Sequence, residues 1–155
     1  MELNELIPAF AAKLGIEGLE VKDGSCSLEI DGIPMEMVEM PEGKAMVLTA
    51  IIGPPPLEKT EDFYELLLQA NAESLGMQAM ALGKLPDSSD LILQWRLPTH
   101  DLQLESFCTE LEAFVNKVEQ WRQALEDFRP AAEEAAIMDE DAPIMGLPNS
   151  GYISV

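Results

Sequence analysis

The sequence is poor in the residues that most catalytic and metal sites require. Its 155 residues include one histidine, His100, and two cysteines, Cys26 and Cys108. A structural zinc site takes four Cys or His ligands and a disulfide scaffold needs more cysteines, so neither is expected. A histidine-dependent nucleophile would have to be brought to His100 by the fold, and no residue spacing predicts such a pair. No glycine-rich phosphate loop is present either. We therefore expect no catalytic residue, no metal and no cofactor.

Basic residues are also scarce. Nine Lys and Arg stand against 29 Asp and Glu, which gives a formal net charge of -20. A surface this negative repels phosphate backbones and anionic lipid headgroups, so we expect neither nucleic acid nor a membrane as a partner. The same self-repulsion keeps a protein soluble even when it exposes apolar surface.

Long apolar runs are missing as well. No window offers the roughly 18 consecutive apolar residues of a membrane-spanning helix. The first residues, Met1 to Glu5, lack the basic start of a signal peptide. Both features predict a cytosolic protein.

Three stretches have apolar residues at helical spacing, and the last of them is the longest. Gly15 follows the first stretch and suits a C-terminal cap, whereas Thr60 and Asp101 are placed to cap the starts of the second and third. The helices are predicted over residues 2–14, 60–75 and 102–128.

Alternating apolar and polar residues, separated by turn signals such as Asp23-Gly24 and Asp31-Gly32, predict five or six strands. Pro34 cannot donate to a ladder, so its strand is expected near a sheet edge or to begin at this residue. The strand-like runs cover residues 19–21, 26–30, 33–40, 45–52, 77–82 and 91–97. With mostly hairpin connections and no repeated βαβ unit, this order predicts an α+β fold built on an antiparallel twisted sheet.

The end of the chain differs from the rest. Residues 130–155 carry five acidic side chains and no basic one, and they are interrupted by proline and glycine. Such a segment cannot assemble a core, so we expect a domain over residues 1–129 and a tail that is disordered or ordered only by a partner.

Three segments, taken in order, resemble a known family. Residues 63–71 read FYELLLQAN, residues 91–98 read LILQWRLP, and the last helix contains LEAFV at 111–115 and EQWR at 119–122. Together they resemble the "LL.AN" segment, the strand ending in an "RLP" turn and the final helix of the Tir-chaperone family. These proteins are the class I chaperones of bacterial type III secretion. The resemblance covers roughly residues 1–128.

The resemblance implies a cytoplasmic bacterial homodimer that holds the N-terminal segment of one or a few secreted effectors in an extended form, without ATP. It also implicates the second helix and the neighbouring strands in dimerisation, although some of their apolar residues must serve the core of each subunit. The interface candidates are Phe63, Leu66, Leu67, Ala70 and Met77.

Two apolar groups are candidates for contact with such a client. Methionines cluster in the predicted hairpin strands, and flexible thioethers let one surface accept different side chains. The first helix also presents an apolar stripe that either packs on the sheet or lines a client groove. Each methionine could equally fill the core. The candidates are Leu3, Leu6, Phe10, Met35, Met37 and Met46. The alternative function is an acidic adaptor or regulator that binds a basic partner.

Overall fold

The computed structural model describes residues 1–74 and 80–137, with side chains as far as Phe128. In chain order the elements are α1 (Leu3–Leu14), β1 (Ser25–Ile30), β2 (Ile33–Glu39), β3 (Ala45–Gly53), α2 (Thr60–Ser74), β4 (Met80–Lys84), β5 (Leu91–Pro98) and α3 (Leu104–Ile137). The predicted order of helices and strands is confirmed.

The strands form one antiparallel sheet in the order β1-β2-β3-β5-β4. It has five strands, at the lower end of the predicted range. The run 19–21 forms no strand; only Lys22 pairs with Ser25, across the tight turn in which Asp23 and Gly24 have φ values of 51° and 73°. The α+β class is confirmed.

Pro34 lies in a strand near a sheet edge, as predicted. β2 is the second strand of the sheet, beside the edge strand β1, and it begins one residue before the proline. The pairing of β2 with β3 begins at Met35, one residue after the proline. Because Pro34 has no N–H, β2 joins β3 only once the proline has been passed.

The core lies on one face of the sheet. Along β2, Ile33, Met35 and Met37 are buried while the residues between them are exposed, as expected for a strand with one covered face. Helices α1 and α3 cover this inner face. Phe10 of α1 meets Phe107 of α3 with ring centroids 5.4 Å apart. Below them the core continues into the sheet through aromatic and aliphatic side chains.

Trp95 and Trp121 anchor the packing of α3 on the sheet. Trp95 of β5 stacks on Phe114 of α3, with ring centroids 5.9 Å apart and an angle of 22° between the planes. Trp121, on the apolar stripe of this long helix, is also buried. The N-terminal end of α2 packs against the same core, because the ring centroids of Phe63 and Phe128 of α3 lie 5.0 Å apart.

The helix ends agree with the sequence at one point and differ at two. Gly15 caps α1 with φ 68°, as predicted. The Thr60 hydroxyl instead donates to the Pro56 carbonyl at 2.7 Å, which ties α2 to the proline-rich connection before it. Asp101 lies in the turn before α3, and the Ser106 hydroxyl accepts from the Gln103 N–H at 3.2 Å. Thr60 and Asp101 are therefore not the predicted caps.

Helix α3 is longer than the sequence indicates. It continues through Pro130 to Ile137, past the predicted end near residue 128. The first residues of the predicted tail thus extend the last helix, and residues 138–155 lie outside the described part of the chain.

Candidate functional site

The two edges of the sheet are the places where another chain could join it. β1 forms one edge and β4 the other. An edge strand presents backbone N–H and C=O groups that have no ladder partner, which is the basis of peptide recognition by strand addition. The candidate binding site is therefore an edge strand whose outward backbone groups have no partner.

On β1 the hydrogen-bonding pattern decides which groups face outward. The Glu39 N–H donates to the Gly24 carbonyl at 2.8 Å, so Gly24 faces β2. Backbone groups alternate along a strand, so Cys26 and Leu28 also face β2, whereas Ser27 and Glu29 face away. Ser25 faces away too, but its N–H and carbonyl bond to Lys22 at 2.9 and 2.8 Å. Within the described residues, the open stretch of this edge is therefore Ser27 to Glu29.

The side chains around the open stretch differ between the two faces of the sheet. On the inner face, Leu28 and Ile30 are only half-buried at the margin of the core. On the outer face, Glu29 and its neighbour Glu36 on β2 are exposed. A strand added here would cover apolar side chains on one face and meet carboxylates on the other.

The β4 edge is covered at its middle residue, Leu82. Helix α2 packs along β4, and the Asn71 side chain acts on the strand as a backbone neighbour would. Its Nδ2 donates to the Leu82 carbonyl at 2.9 Å, and its Oδ1 accepts from the Leu82 N–H at 2.7 Å. Asn71 thereby satisfies both outward backbone groups of Leu82. Asn71 lies in the segment that resembles the family, but the sequence did not predict this role. The available signal was an asparagine inside a helix, where its propensity is poor.

Arg122 fixes the β1–β2 hairpin to α3. Its Nη1 donates to the Gly32 carbonyl at 3.3 Å and its Nη2 to the Ile51 carbonyl at 3.2 Å. Arg122 is therefore not a charge that only faces solvent, as its place beside Trp121 on the last helix would suggest, since the guanidinium links the β1–β2 turn to strand β3. Beside it lies an open cavity of about 680 Å³, lined by Asp31, Ile33 and polar side chains of α3. This cavity adjoins the C-terminal end of β1, because Asp31 directly follows that strand.

All six predicted client-contact residues belong to the core. Each is at most 4% exposed, because α1 and α3 cover the inner face of the sheet. They do lie together, in one continuous cluster: Leu3, Leu6, Phe10, Met35, Met37 and Met46. A bound strand reaches none of them at the surface of the folded chain, so their direct contact with a client stays a prediction that requires the core to open.

The predicted dimer residues are also mostly internal. Phe63, Leu66, Leu67 and Ala70 are buried within the single chain, and Met77 lies outside the described residues. The exposed apolar residue of α2 is Leu68, whose side chain is 68% accessible. The spacing of α2 could not separate a core face from an interface face.

Two titratable groups are perturbed, both by burial. Burial raises the pKa of the Cys26 thiol and lowers the pKa of the Lys117 ammonium. A buried neutral thiol is a packing group, not a nucleophile. His100 is exposed and lies 3.8 Å from the Asp101 carboxylate. Among the described residues, no cluster of His, Cys, Asp or Glu could hold a metal ion, and no helix could span a membrane.

Solved structures share this architecture at low sequence identity. A chain of the ExsC-ExsE complex has a TM-score of 0.68 and 20% identity, covering 81% of this chain and 97% of that one. A chain of the HopA1-SchA chaperone-effector complex has a TM-score of 0.65 and 18% identity, with coverage of 77% and 91%. The Yersinia pestis type III secretion chaperone SycH, solved with a fragment of YscM2, gives 0.59 and 21%, with 76% and 98%. These likenesses establish the fold.

The sequence itself identifies the family. No curated relative matches the chain. The profile of the Tir chaperone protein (CesT) family, however, matches residues 5–122, which is more than half of the chain. This range contains most of α1, the whole sheet, α2 and the first half of α3. The chain belongs to the Tir chaperone protein (CesT) family.

Proposed function

We propose that this chain captures the N-terminal segment of a secreted effector as an added strand at the β1 edge, and so keeps the effector soluble and ready for export. Membership of the family makes the chain a type III secretion chaperone. The observation that supports the site is the open stretch from Ser27 to Glu29, beside half-buried Leu28 and Ile30.

Strand addition explains how such a chaperone holds an unfolded segment. Backbone hydrogen bonds form with any sequence, and the side chains of alternate residues supply the selectivity. The bound segment stays extended, which suits a polypeptide that must leave the cell unfolded. Binding and release then follow affinity alone, with no reaction catalysed and no nucleotide consumed. The site of action is the bacterial cytoplasm, before export.

The chaperone works as a homodimer in this proposal, with α2 at the contact between subunits. Leu68 of α2 is exposed to solvent, whereas Leu66 and Leu67 are buried. A symmetric contact between two subunits would cover Leu68. Leu68→Asp should convert the dimer to monomer in light scattering while the fold is kept. Leu14→Asp, at an apolar residue that is 55% exposed at the end of α1, is the matched control and should remain dimeric.

The function is tested by co-expressing the chain with the genes adjacent to its own, followed by purification and light scattering. A dimer that carries one secreted protein through that protein's N-terminal segment supports the proposal. Amide hydrogen exchange should then show Ser27 and Glu29 protected in the complex and open in the free chain. Purification of the chain without any secreted protein would contradict the chaperone function, and a complex without protection at these two amides would contradict the site.

Calorimetry separates this function from that of an acidic adaptor. Capture of apolar side chains beside Leu28 and Ile30 gives a negative heat-capacity change. An adaptor held by charge alone would instead show little heat-capacity change and a steep dependence on salt.

A further inference from the structure

The β1 edge is two-sided, and its sides differ in chemistry. We infer that it selects client segments in which apolar and basic residues alternate, with the apolar side chains facing the core and the basic side chains facing Glu29 and Glu36. This inference rests on the proposed function and names the class of sequence that the chaperone accepts.

The alternation follows from the geometry of the strand. An added strand pairs through the outward backbone groups of Ser27 and Glu29, and its side chains alternate between the two faces as those of β1 do. The client residue beside Leu28 therefore points to the inner face, and those beside Ser27 and Glu29 point to the outer face. Both strand directions preserve this facing.

The inner side accepts apolar residues. Leu28 and Ile30 are packed against the core but remain half-buried, because β1 is an edge strand and no further strand lies next to it. Client side chains placed next to them would complete their burial. A polar client side chain there would leave this apolar surface wet and lose the gain from burial.

The outer side favours positive charge. From Ser25 to Glu39, the β1–β2 hairpin contains four acidic residues and no lysine or arginine, and two of the acidic residues, Glu29 and Glu36, lie on the outer face. Glu29 would lie directly beside a client residue. Ser27 pairs with Glu36, and since the serine side chain is short, a long basic client side chain can extend over it to the Glu36 carboxylate. Opposite charges placed across neighbouring strands are favourable.

The alternation of apolar and basic residues also assigns affinity and selectivity to different contacts. The backbone bonds and the apolar contacts hold the segment, while the carboxylates discriminate between segments that are equally apolar. An acidic client residue beside Glu29 would be repelled, both by this carboxylate and by the chain's overall charge of -20.

The test uses three synthetic twelve-residue peptides titrated into the full, ¹⁵N-labelled chain. One alternates Val and Arg, one alternates Val and Glu, and one has the composition of the first arranged as six Val followed by six Arg. The alternating Val-Arg peptide should bind at least about fivefold more tightly than either of the others, and it should shift the amide signals of Ser27 and Glu29. Equal affinity of the alternating and block basic peptides would overturn the inference, because net charge alone would then explain binding.

Variants locate the charge effect. Glu29→Gln and Glu36→Gln should each weaken the alternating Val-Arg peptide about 1.5- to 5-fold, the range for a cross-strand ion pair. Glu58→Gln removes the same charge from an exposed residue outside the sheet and should change nothing. If all three variants have the same effect, the inference fails.

Failure of the charge selection can be distinguished from failure of the chaperone function. The same variants are measured with the effector that co-purifies with the chain. An effector that still protects Ser27 and Glu29 but is insensitive to Glu29→Gln and Glu36→Gln would overturn the charge selection and leave the chaperone function intact. If no effector co-purifies, the chaperone function fails, and the peptides still decide whether the edge selects this pattern.

Discussion

The two edges of the sheet are treated in opposite ways. At β4, helix α2 lies along the strand and Asn71 bonds both outward groups of Leu82. At β1, Ser27 and Glu29 keep their outward groups open, and the core margin beside them is incompletely covered. An exposed edge is an aggregation hazard, so a protein normally covers both edges.

The difference shows how a small sheet can bind one strand without polymerising. With the β4 edge covered, another chain can join the sheet only at β1, so the sheets of successive chains cannot pair β1 to β4 into a continuous array. The open edge is also short, because the backbone groups of Ser25, at the start of β1, are already bonded to Lys22. The negative charge of the hairpin further opposes pairing of two β1 edges with each other, since both copies would bring Glu29 to the contact.

The largest expected effect separates the open edge from the core behind it. Met37→Asp should destabilise the chain by at least about 4 kcal/mol, because an unpaired carboxylate would replace a fully buried thioether. Urea denaturation measures the loss. Val38→Asp, on the opposite face of the same strand, is the control and should change stability by about 0.5 kcal/mol. A folded Met37→Asp chain that has lost its client would restore the methionines as a contact surface.

The covered edge is opened by Asn71→Ala. The two backbone groups of Leu82 lose their partner, and leaving buried polar groups unsatisfied costs about 1–3 kcal/mol. We expect that loss in denaturation experiments, together with faster amide exchange at Leu82 and self-association in light scattering. Gln69→Ala, two residues earlier on an exposed face of α2, removes only an exposed bond to Glu65 and is the control. Unchanged exchange at Leu82 would show that α2 covers the edge without Asn71.

The open edge is closed by Ser27→Pro. Proline removes the outward N–H of residue 27 while the ladder to β2, which uses its neighbours, is retained. Affinity for the effector segment should fall at least about tenfold, with stability kept within about 1 kcal/mol. Isothermal titration measures the affinity, and Ser27→Ala, which keeps the N–H, should bind like the unmodified chain. Normal binding by the proline variant would move the client away from β1.

The sequence predicts the elements better than it predicts their surroundings. Periodicity is local, so the three helices and five of the strand-like runs appear where expected. Whether an apolar residue faces core, partner or client depends on which element lies above it, and Met35 shows the limit. Its alternation correctly places it on an inner face, yet only the packing of α1 and α3 reveals that this face is closed.

The missed residues are polar side chains that bond to distant backbone. Arg122 contacts Gly32 and Ile51, which are far from it in sequence, and Asn71 contacts Leu82, 11 residues further along the chain. Nothing in helical spacing distinguishes such a side chain from a solvated one. Pro34 left two placements open, because a missing N–H is compatible both with a strand near a sheet edge and with the start of a ladder.

The smallest effect tests whether the open edge must be held in place. Arg122→Lys keeps the charge but cannot donate to both carbonyls from one planar group, so it should cost about 1–2 kcal/mol of stability. Because Gly32 lies in the turn that follows β1, amide exchange should quicken at the β1–β2 turn before it does at β5. Gln123→Ala, next to Arg122 but bonded only to exposed Asp127, should leave both quantities unchanged. If client affinity falls in Arg122→Lys while Ser27 and Glu29 remain accessible, the open edge binds as a preorganised surface. If affinity is unchanged, the backbone groups suffice, and the hairpin needs no anchor to α3 in order to accept a strand.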